Sequence, residues 1–281
     1  MSPLIPSLLL LLLPSLLAVS PDREDSLLNR PGGNLDLSLV AEMGALLPLA
    51  HEIQFSKNGT LLDYVDEGGQ DNLFLFKRLS AELDLGDRQT LVFLYQPLDL
   101  RTQTVLAQSQ LIDNALFPAG SPLDLRYGFD FYRASWLWDL QEAPRKEFAL
   151  GASLQIRNAS IEFTSGDGKL RRVNHDIGPV PILKVRVRQP LGQESFWGFE
   201  ADGFYAPIKY INGSNTDVVG SILDTSLRVG TPLSHGGEAF LNLRYLGGGA
   251  EGTSKNLDGP GDGWVSNWLH FTSLSLGFAL R

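Results

Sequence analysis

The sequence predicts an all-β protein, a closed antiparallel up-and-down transmembrane β-barrel of ten strands. Three observations predict it: ten stretches alternate apolar and polar residues with period two, the connectors between them alternate short and long, and an export segment precedes them. Short turns on one rim and long loops on the other are the pattern of a barrel whose termini both lie in the periplasm.

The export segment comes first. Leu4, Ile5 and the run Leu8 to Leu13 form an apolar core, and Ala18-Val19-Ser20 gives a small-x-small cleavage pattern before the charged Pro21-Asp22-Arg23-Glu24-Asp25. Residues 1–20 therefore read as a cleaved signal peptide, 21–33 as a short periplasmic segment and 34–281 as the barrel. No Lys or Arg precedes the apolar run, so only the α-amino group supplies positive charge there. The run is broken by Pro14 and is shorter than the roughly 20 residues a spanning helix needs. The location this implies is the cell outer membrane.

Strand one alternates Leu35, Leu37, Leu39, Ala41 and Met43 with Asp36, Ser38, Val40 and Glu42, and a long loop at 49–71 carries the turn signal Lys57-Asn58-Gly59-Thr60, expected to fold back as a hairpin extension. Strand two runs from about Leu73 to Leu85 and turns at Gly86-Asp87. Strand three starts near Gln89 and passes Leu91, Phe93 and Tyr95, but Pro97 cannot donate a ladder hydrogen bond, so a bulge or a break is expected there. After a second long loop at 105–121, strand four alternates Leu123, Leu125, Tyr127, Phe129 and Phe131 with Asp124, Arg126, Gly128 and Asp130, and ends at Trp136-Leu137-Trp138.

A charged turn at 141–146 leads to strand five, with Phe148, Leu150, Ala152, Leu154 and Ile156 on one face. Gly166-Asp167-Gly168-Lys169 connects it to strand six, where Pro179 and Pro181 near its start mark a place at which pairing can lapse and Leu183, Val185 and Val187 follow. Strand seven carries Trp197, Phe199, Ala201, Gly203 and Tyr205. Strand eight spans Val219 to Val229, and strand nine holds Ala239, Leu241, Leu243 and Tyr245. Gly247-Gly248-Gly249 is then expected to open a long loop to Trp264, with strand ten alternating from Ser273 to Leu280. Twelve strands result if 49–56 and 60–66 pair inside the membrane.

In a membrane barrel the apolar face of each strand meets lipid and the polar face meets the lumen. The polar positions are Arg78, Arg126, Arg157, Lys184, Arg186, Arg228 and Arg244 against Asp36, Glu42, Glu82, Asp84, Asp130, Glu200, Asp202 and Asp224. Unpaired charges in a poorly hydrated interior cost several kcal/mol each, so this near-balance predicts a salt-bridged lumen that closes a narrow barrel. Separate solvated charges along a thin water channel are the other reading of the same residues. Trp136, Trp138, Tyr205, Tyr210, Trp264, Trp268 and Phe278 lie near strand ends and are expected to form interfacial girdles.

Composition excludes several function classes. With no Cys there are no disulfides, thiolate nucleophiles, Cys-ligated zinc or iron–sulfur clusters. A formal charge of −9 argues against nucleic-acid partners. The four His are scattered, so no metal or other cofactor is expected. The matches to glycosylation sequons at Asn58, Asn158 and Asn212 carry no weight in a bacterial barrel. The Gly247–Gly249 run lacks the Lys-Ser/Thr and the helix of a phosphate cradle.

The strings Tyr95-Gln96-Pro97-Leu98, Tyr127 to Arg133, Leu154 to Ala159, Asp176 to Pro181, Asp202 to Pro207, Arg244 to Gly252 and Trp268-Leu269-His270 resemble a family of uncharacterised bacterial outer-membrane β-barrel proteins. The resemblance covers most of the chain after residue 20. It implies fold and location, outer-membrane lipid or lipopolysaccharide as surroundings, and the barrel-assembly machinery and periplasmic chaperones as partners in biogenesis. It implies no chemistry. The C-terminus departs from the usual aromatic assembly signal, since Phe278 is followed by Ala279-Leu280-Arg281.

Two constellations are candidates for catalysis. His175-Asp176, near the outer end of strand six, resembles the His/Asp pairing of omptin proteases, where such a pair does acid–base work. His270 and Thr272, on one face of strand ten, resemble the His-x-Ser pair of lipid A deacylases, with Thr in place of the nucleophilic Ser. The function this sequence supports is a structural, binding or narrow solute barrel with long outer loops. An outer-membrane hydrolase and a soluble secreted β-barrel binding protein are the alternatives.

Overall fold

The alternating segments form long strands in the computed structural model of the protein, which describes residues 35–141, 143, 145–207, 217–233, 236–253 and 261–281. Of residues 157, 176–178, 206 and 207 only the backbone is described. The export segment and Tyr210 lie outside the described residues.

In chain order the strands are β1 (Leu35–Phe55), β2 (Leu62–Asp63), β3 (Phe74–Leu85), β4 (Gln89–Gln96), β5 (Asp99–Val105), β6 (Gln110–Ile112), β7 (Ala115–Phe117), β8 (Pro122–Asp139), β9 (Glu147–Ser165), β10 (Arg171–Leu191), β11 (Ser195–Pro207), β12 (Val219–Pro232), β13 (Glu238–Thr253) and β14 (Trp264–Leu280). Twelve of them make one sheet, in which β4 and β5 both pair β8 as halves of one crossing strand and β2 is a two-residue flap on β1. Ten crossing strands remain. The ring closes where β1 pairs antiparallel with β14, from Leu39↔Leu280 to Phe55↔Val265.

Proline sets the irregularities. The β1–β14 register shifts between Pro48 and Ala50, as expected where a residue lacks its donor. At Pro97 the crossing strand breaks into β4 and β5, and Asp130 supplies the missing acceptor by taking the Leu98 N–H at 3.3 Å. Pro179 and Pro181 keep an unbroken ladder to β9, while described pairing to β11 begins only at Leu183↔Gly203. The lapse expected at these prolines thus falls on the β11 side.

The outward face carries the apolar belt of a transmembrane barrel. Met43, Leu75, Leu154, Leu183, Leu243 and Leu274 all face out and are more than half exposed, a pattern that needs lipid as solvent.

Several strands run further than their alternation suggested. β1 continues to Phe55 through the start of the expected 49–71 loop, whose Lys57-Asn58-Gly59-Thr60 turn folds back so that Glu52 pairs Asp63 and Ile53 pairs Leu62. β13 passes straight through Gly247-Gly248-Gly249 to Thr253, and β14 begins at Trp264. The barrel wall thus extends above the belt at the loop end, where Glu52, Arg126 and Glu162 face out instead of leucine.

Candidate functional site

With both ends of the wall placed, the interior divides into two levels with opposite chemistry. At belt level the inward residues are polar. Asp202 of β11 and Asp224 of β12 are direct cross-strand partners, and like charges set opposite each other destabilise a sheet. Arg133 of β8, from across the lumen, resolves the conflict: its Nη1 lies 3.0 Å from Oδ2 of both. Gln155 Oε1 accepts from Arg133 Nε and Nη2 at 2.9 and 2.7 Å, which fixes the guanidinium plane.

The lattice extends from there. Lys184 Nζ sits 2.8 Å from both Asp202 and Glu200, and Arg228 reaches the other oxygen of Glu200 at 2.8 Å. Arg244 donates to Asp224. Glu42 lies 3.6 Å from Arg78 and accepts from Asn242 and Ser275 at 2.8 and 2.9 Å. Towards the terminal end, Arg186 joins Glu82 and Glu147, and Glu238 is shared by Arg188 and Arg281. The gap left beside Arg78, Arg133 and Lys184 is about 10 Å³, room for no more than one water. Below the lattice a cavity of about 310 Å³ opens at the terminal end among Asp84, Arg88, Glu147, Arg188, Glu238 and Arg281.

Above the belt the inward residues turn apolar. Ile53 and Phe55 of β1, Leu125, Tyr127 and Phe131 of β8, and Phe163 of β9 are buried together with Leu62 and Tyr64 of the folded-back connector and Phe117 of the β6–β7 hairpin. These side chains form a stopper across the loop end. One histidine lies inside it: His51 stacks on Tyr64 at 4.5 Å, meets the edge of Tyr127 at 4.3 Å and hydrogen-bonds Gln70 at 2.8 Å.

Loop contacts tie the stopper together. Leu111 N donates to Thr60 Oγ1 and Thr60 N to the Leu111 carbonyl, at 2.9 and 2.8 Å. Ser56 Oγ donates to Asp113 at 3.1 Å, yet burial pushes the Asp113 carboxyl above its ordinary value. In the separate 166–170 turn, donation from Ser165 Oγ and Lys169 N holds the exposed Asp167 carboxyl down to about 2.

Of the expected lumen residues, the structure places Arg78, Glu82, Lys184, Arg186, Glu200, Asp202, Asp224, Arg228 and Arg244 in the interior lattice. Arg126 and Asp130 are corrections, because both face outward. Above the belt β8 buries Leu123, Leu125, Tyr127, Phe129 and Phe131, so the apolar set points inward and its polar neighbours point out. Arg126 pairs with Asp99 at 2.9 Å, and Asp130 caps the break at Pro97. The side chain of Arg157 lies outside the described residues. Arg133, the hub of the lattice, was not among the expected lumen residues because it shares the odd-numbered face of those aromatics.

Among the expected girdle residues, Trp136, Trp138 and Phe278 face out towards the terminal end and Tyr205 towards the loop end, where it is 71% exposed. Tyr95 and Tyr132 add a stacked outward pair, 5.0 Å apart. Trp264 and Trp268 are half-buried on β14, and the Trp268 ring lies against Gly249.

His270 and Thr272 face outward together, but their polar atoms are engaged elsewhere. His270 Nδ1 is 2.6 Å from the Tyr245 hydroxyl, and Thr272 Oγ1 donates to the Arg244 carbonyl at 3.0 Å. The Tyr245–His270 pair lies over Gly247, and its hydroxyl and ring nitrogen occupy the space a Cβ would need there. Gly247→Ala is therefore expected to force this pair apart and to cost about 1–3 kcal/mol, as overpacking does, measured by urea unfolding in vesicles. An unchanged midpoint would show that the rings shift freely. His175 is exposed opposite Ser160, and the side chain of Asp176 lies outside the described residues. Among the described residues no group of three or more His, Asp or Glu could hold a metal ion.

No protein-family model and no curated sequence matches the chain. Solved structures similar to it include the outer membrane protease OmpT of Escherichia coli (10% identity, 87% of this chain and 96% of that one, TM-score 0.46). The toluene transporter TodX of Pseudomonas putida (8%, 87% and 90%, TM-score 0.33) and the attachment invasion locus protein Ail of Yersinia pestis (9%, 87% and 99%, TM-score 0.31) are also similar. At such identities the likeness is one of barrel architecture and goes no further.

Proposed function

We propose that the chain is a non-conducting outer-membrane β-barrel, with both termini in the periplasm, that acts as a structural or binding protein through its interlocked outer loops. The single observation that carries this is the interior, which holds a paired ionic lattice at belt level and an apolar stopper above it. A porin needs a continuous wet path, and here an aqueous path would have to cross both layers. The apolar belt supports a bilayer location, and the short turns and both strand termini gathered at one end support the orientation. A cleaved signal peptide and biogenesis through the barrel-assembly machinery and periplasmic chaperones fit the same reading.

The hydrolase alternative finds less support. His270 hydrogen-bonds Tyr245, the Thr272 hydroxyl donates a hydrogen bond to a backbone carbonyl, and neither contact is that of a base and its nucleophile. In planar bilayers the refolded chain is expected to give no sustained conductance steps. Large, regular steps would overturn the closed-barrel reading.

A further inference from the structure

The lapse between β10 and β11 has a definite chemistry. Above Leu183↔Gly203 the same register would set Pro181 against Tyr205 and Pro179 against Pro207. β10 keeps its full ladder to β9 through both prolines, and β11 keeps its ladder to β12 as far as Pro207↔Val219. Strand residues aim their N–H groups at the two neighbouring strands in alternation. The three donors missing at these prolines are therefore the ones that would have pointed into the β10–β11 seam. Of the four N–H groups on these two rungs, only that of Tyr205 exists.

The seam lies at the level of the belt. Pro181 and Pro179 stand opposite Leu154 and Ile156 of β9, which face out and are about half exposed. Leu183 at the foot of the seam and Tyr205 on its far side are each 71% exposed. Backbone carbonyls left unpaired against hydrocarbon are costly, and barrels close their walls to avoid that cost. Here three residue choices impose it. Behind the seam the interior is apolar. Val180 of β10, Phe204 of β11 and Ile222 of β12 share the inward face of Lys184, Asp202 and Asp224, and all three are half-buried. Ile222 packs against the stopper, whose Ile161 and Phe163 are buried, and the lattice begins just below with Lys184 and Asp202.

We propose that the seam is a side entrance through which one hydrocarbon chain of a lipid in the surrounding leaflet reaches an inward niche lined by Val180, Phe204 and Ile222, between the stopper and the ionic lattice. The site rests on the outer-membrane reading above and gives its binding role a ligand class. Hydrocarbon is the occupant because it lies against the outward side of the seam, between Leu154, Leu183 and Leu223, and because the niche meets it with apolar side chains. The headgroup stays outside. The charged lattice beneath stops the chain from going deeper, so its entry opens no aqueous path.

The test uses the full chain refolded in phosphatidylcholine vesicles that contain a phosphatidylcholine with a photoactivatable diazirine in one acyl chain. After illumination, tandem mass spectrometry locates the adducts. The wild type is expected to carry them on the inward Val180, Phe204 or Ile222 as well as on the outward Leu154, Leu183 and Leu223. Pro179→Val with Pro181→Val returns two donors to the seam and is expected to lower the inward adducts about tenfold, as two restored backbone hydrogen bonds favour the shut ladder. The outward adducts are expected to stay. Ile222→Trp, which fills the niche and leaves the prolines alone, is expected to lower the adducts at Val180 and Phe204. Heat-dependent gel migration, run on every sample, checks that the barrel has formed. An absence of inward adducts in the wild type, or inward adducts that persist unchanged in both variants, would overturn the entrance. Outward adducts report separately on the bilayer: if they appear without inward ones, the entrance falls and the outer-membrane reading stands, and if they too are missing, both fall.

Discussion

Asp224→Asn is expected to destabilise the barrel by about 3–5 kcal/mol, the cost of removing one partner from a buried ion pair. Asp224 is 1% exposed and is contacted by Arg133, Arg244 and, at 3.8 Å, Arg78. Without its charge three guanidinium groups face one another around a neutral amide, and Arg133 keeps Asp202 and the neutral Gln155 as partners. Urea unfolding in vesicles, followed by tryptophan fluorescence, measures the effect. The exposed Asp167 pairs Lys169 at 3.1 Å and serves as the control, because surface ion pairs contribute about 0–1 kcal/mol. A loss at Asp224 no larger than at Asp167 would mean that water, not arginine, neutralises the lumen carboxylates.

The second large effect is expected at Phe163, which is 0% exposed and packs edge-on against Phe55 at 5.4 Å and against Tyr64 at 5.9 Å. Phe163→Ala removes the ring joining the wall to the folded-back connector, and a loss of about 3–5 kcal/mol is expected from the cavity it leaves. The variant should still give no conductance, because the ionic lattice below the stopper is untouched. If channels appear in Phe163→Ala but not in the wild type, the stopper alone closes the barrel and the lattice is permeable.

Strand number, strand order and the outer belt were legible in the sequence because period two survives every local irregularity. Strand length was not. β8 keeps one unbroken alternation from Pro122 to Asp139, yet the meaning of that alternation reverses along it: outside the membrane apolar residues go inward, and inside the membrane they go outward. Leu125 and Tyr127 therefore share a face with Arg133 and Ser135, while Arg126 shares one with Trp136. A reading that assigns one face to lipid for the whole strand must misplace one half of it. Asp202 and Asp224 could be found because their flanking residues are lipid-facing throughout β11 and β12. Their neutralising partner could not, since only ring closure brings β8 across from them. The stopper was hidden for a related reason: Tyr64 and Gln70 sit in a stretch without periodicity, and what buries them is a wall of strands distant in sequence.

The facing carboxylates of β11 and β12 bear on how the molecule reaches its final form. The β11–β12 hairpin by itself holds two acidic side chains shoulder to shoulder, and the arginine that reconciles them arrives from more than sixty positions earlier in the chain. The flanking strands β10 and β13 give each carboxylate a cation of its own, Lys184 for Asp202 and Arg244 for Asp224, but neither bridges the two. The bridge comes from across the lumen, so the Asp202–Arg133–Asp224 contact is a chemical signature of a finished barrel.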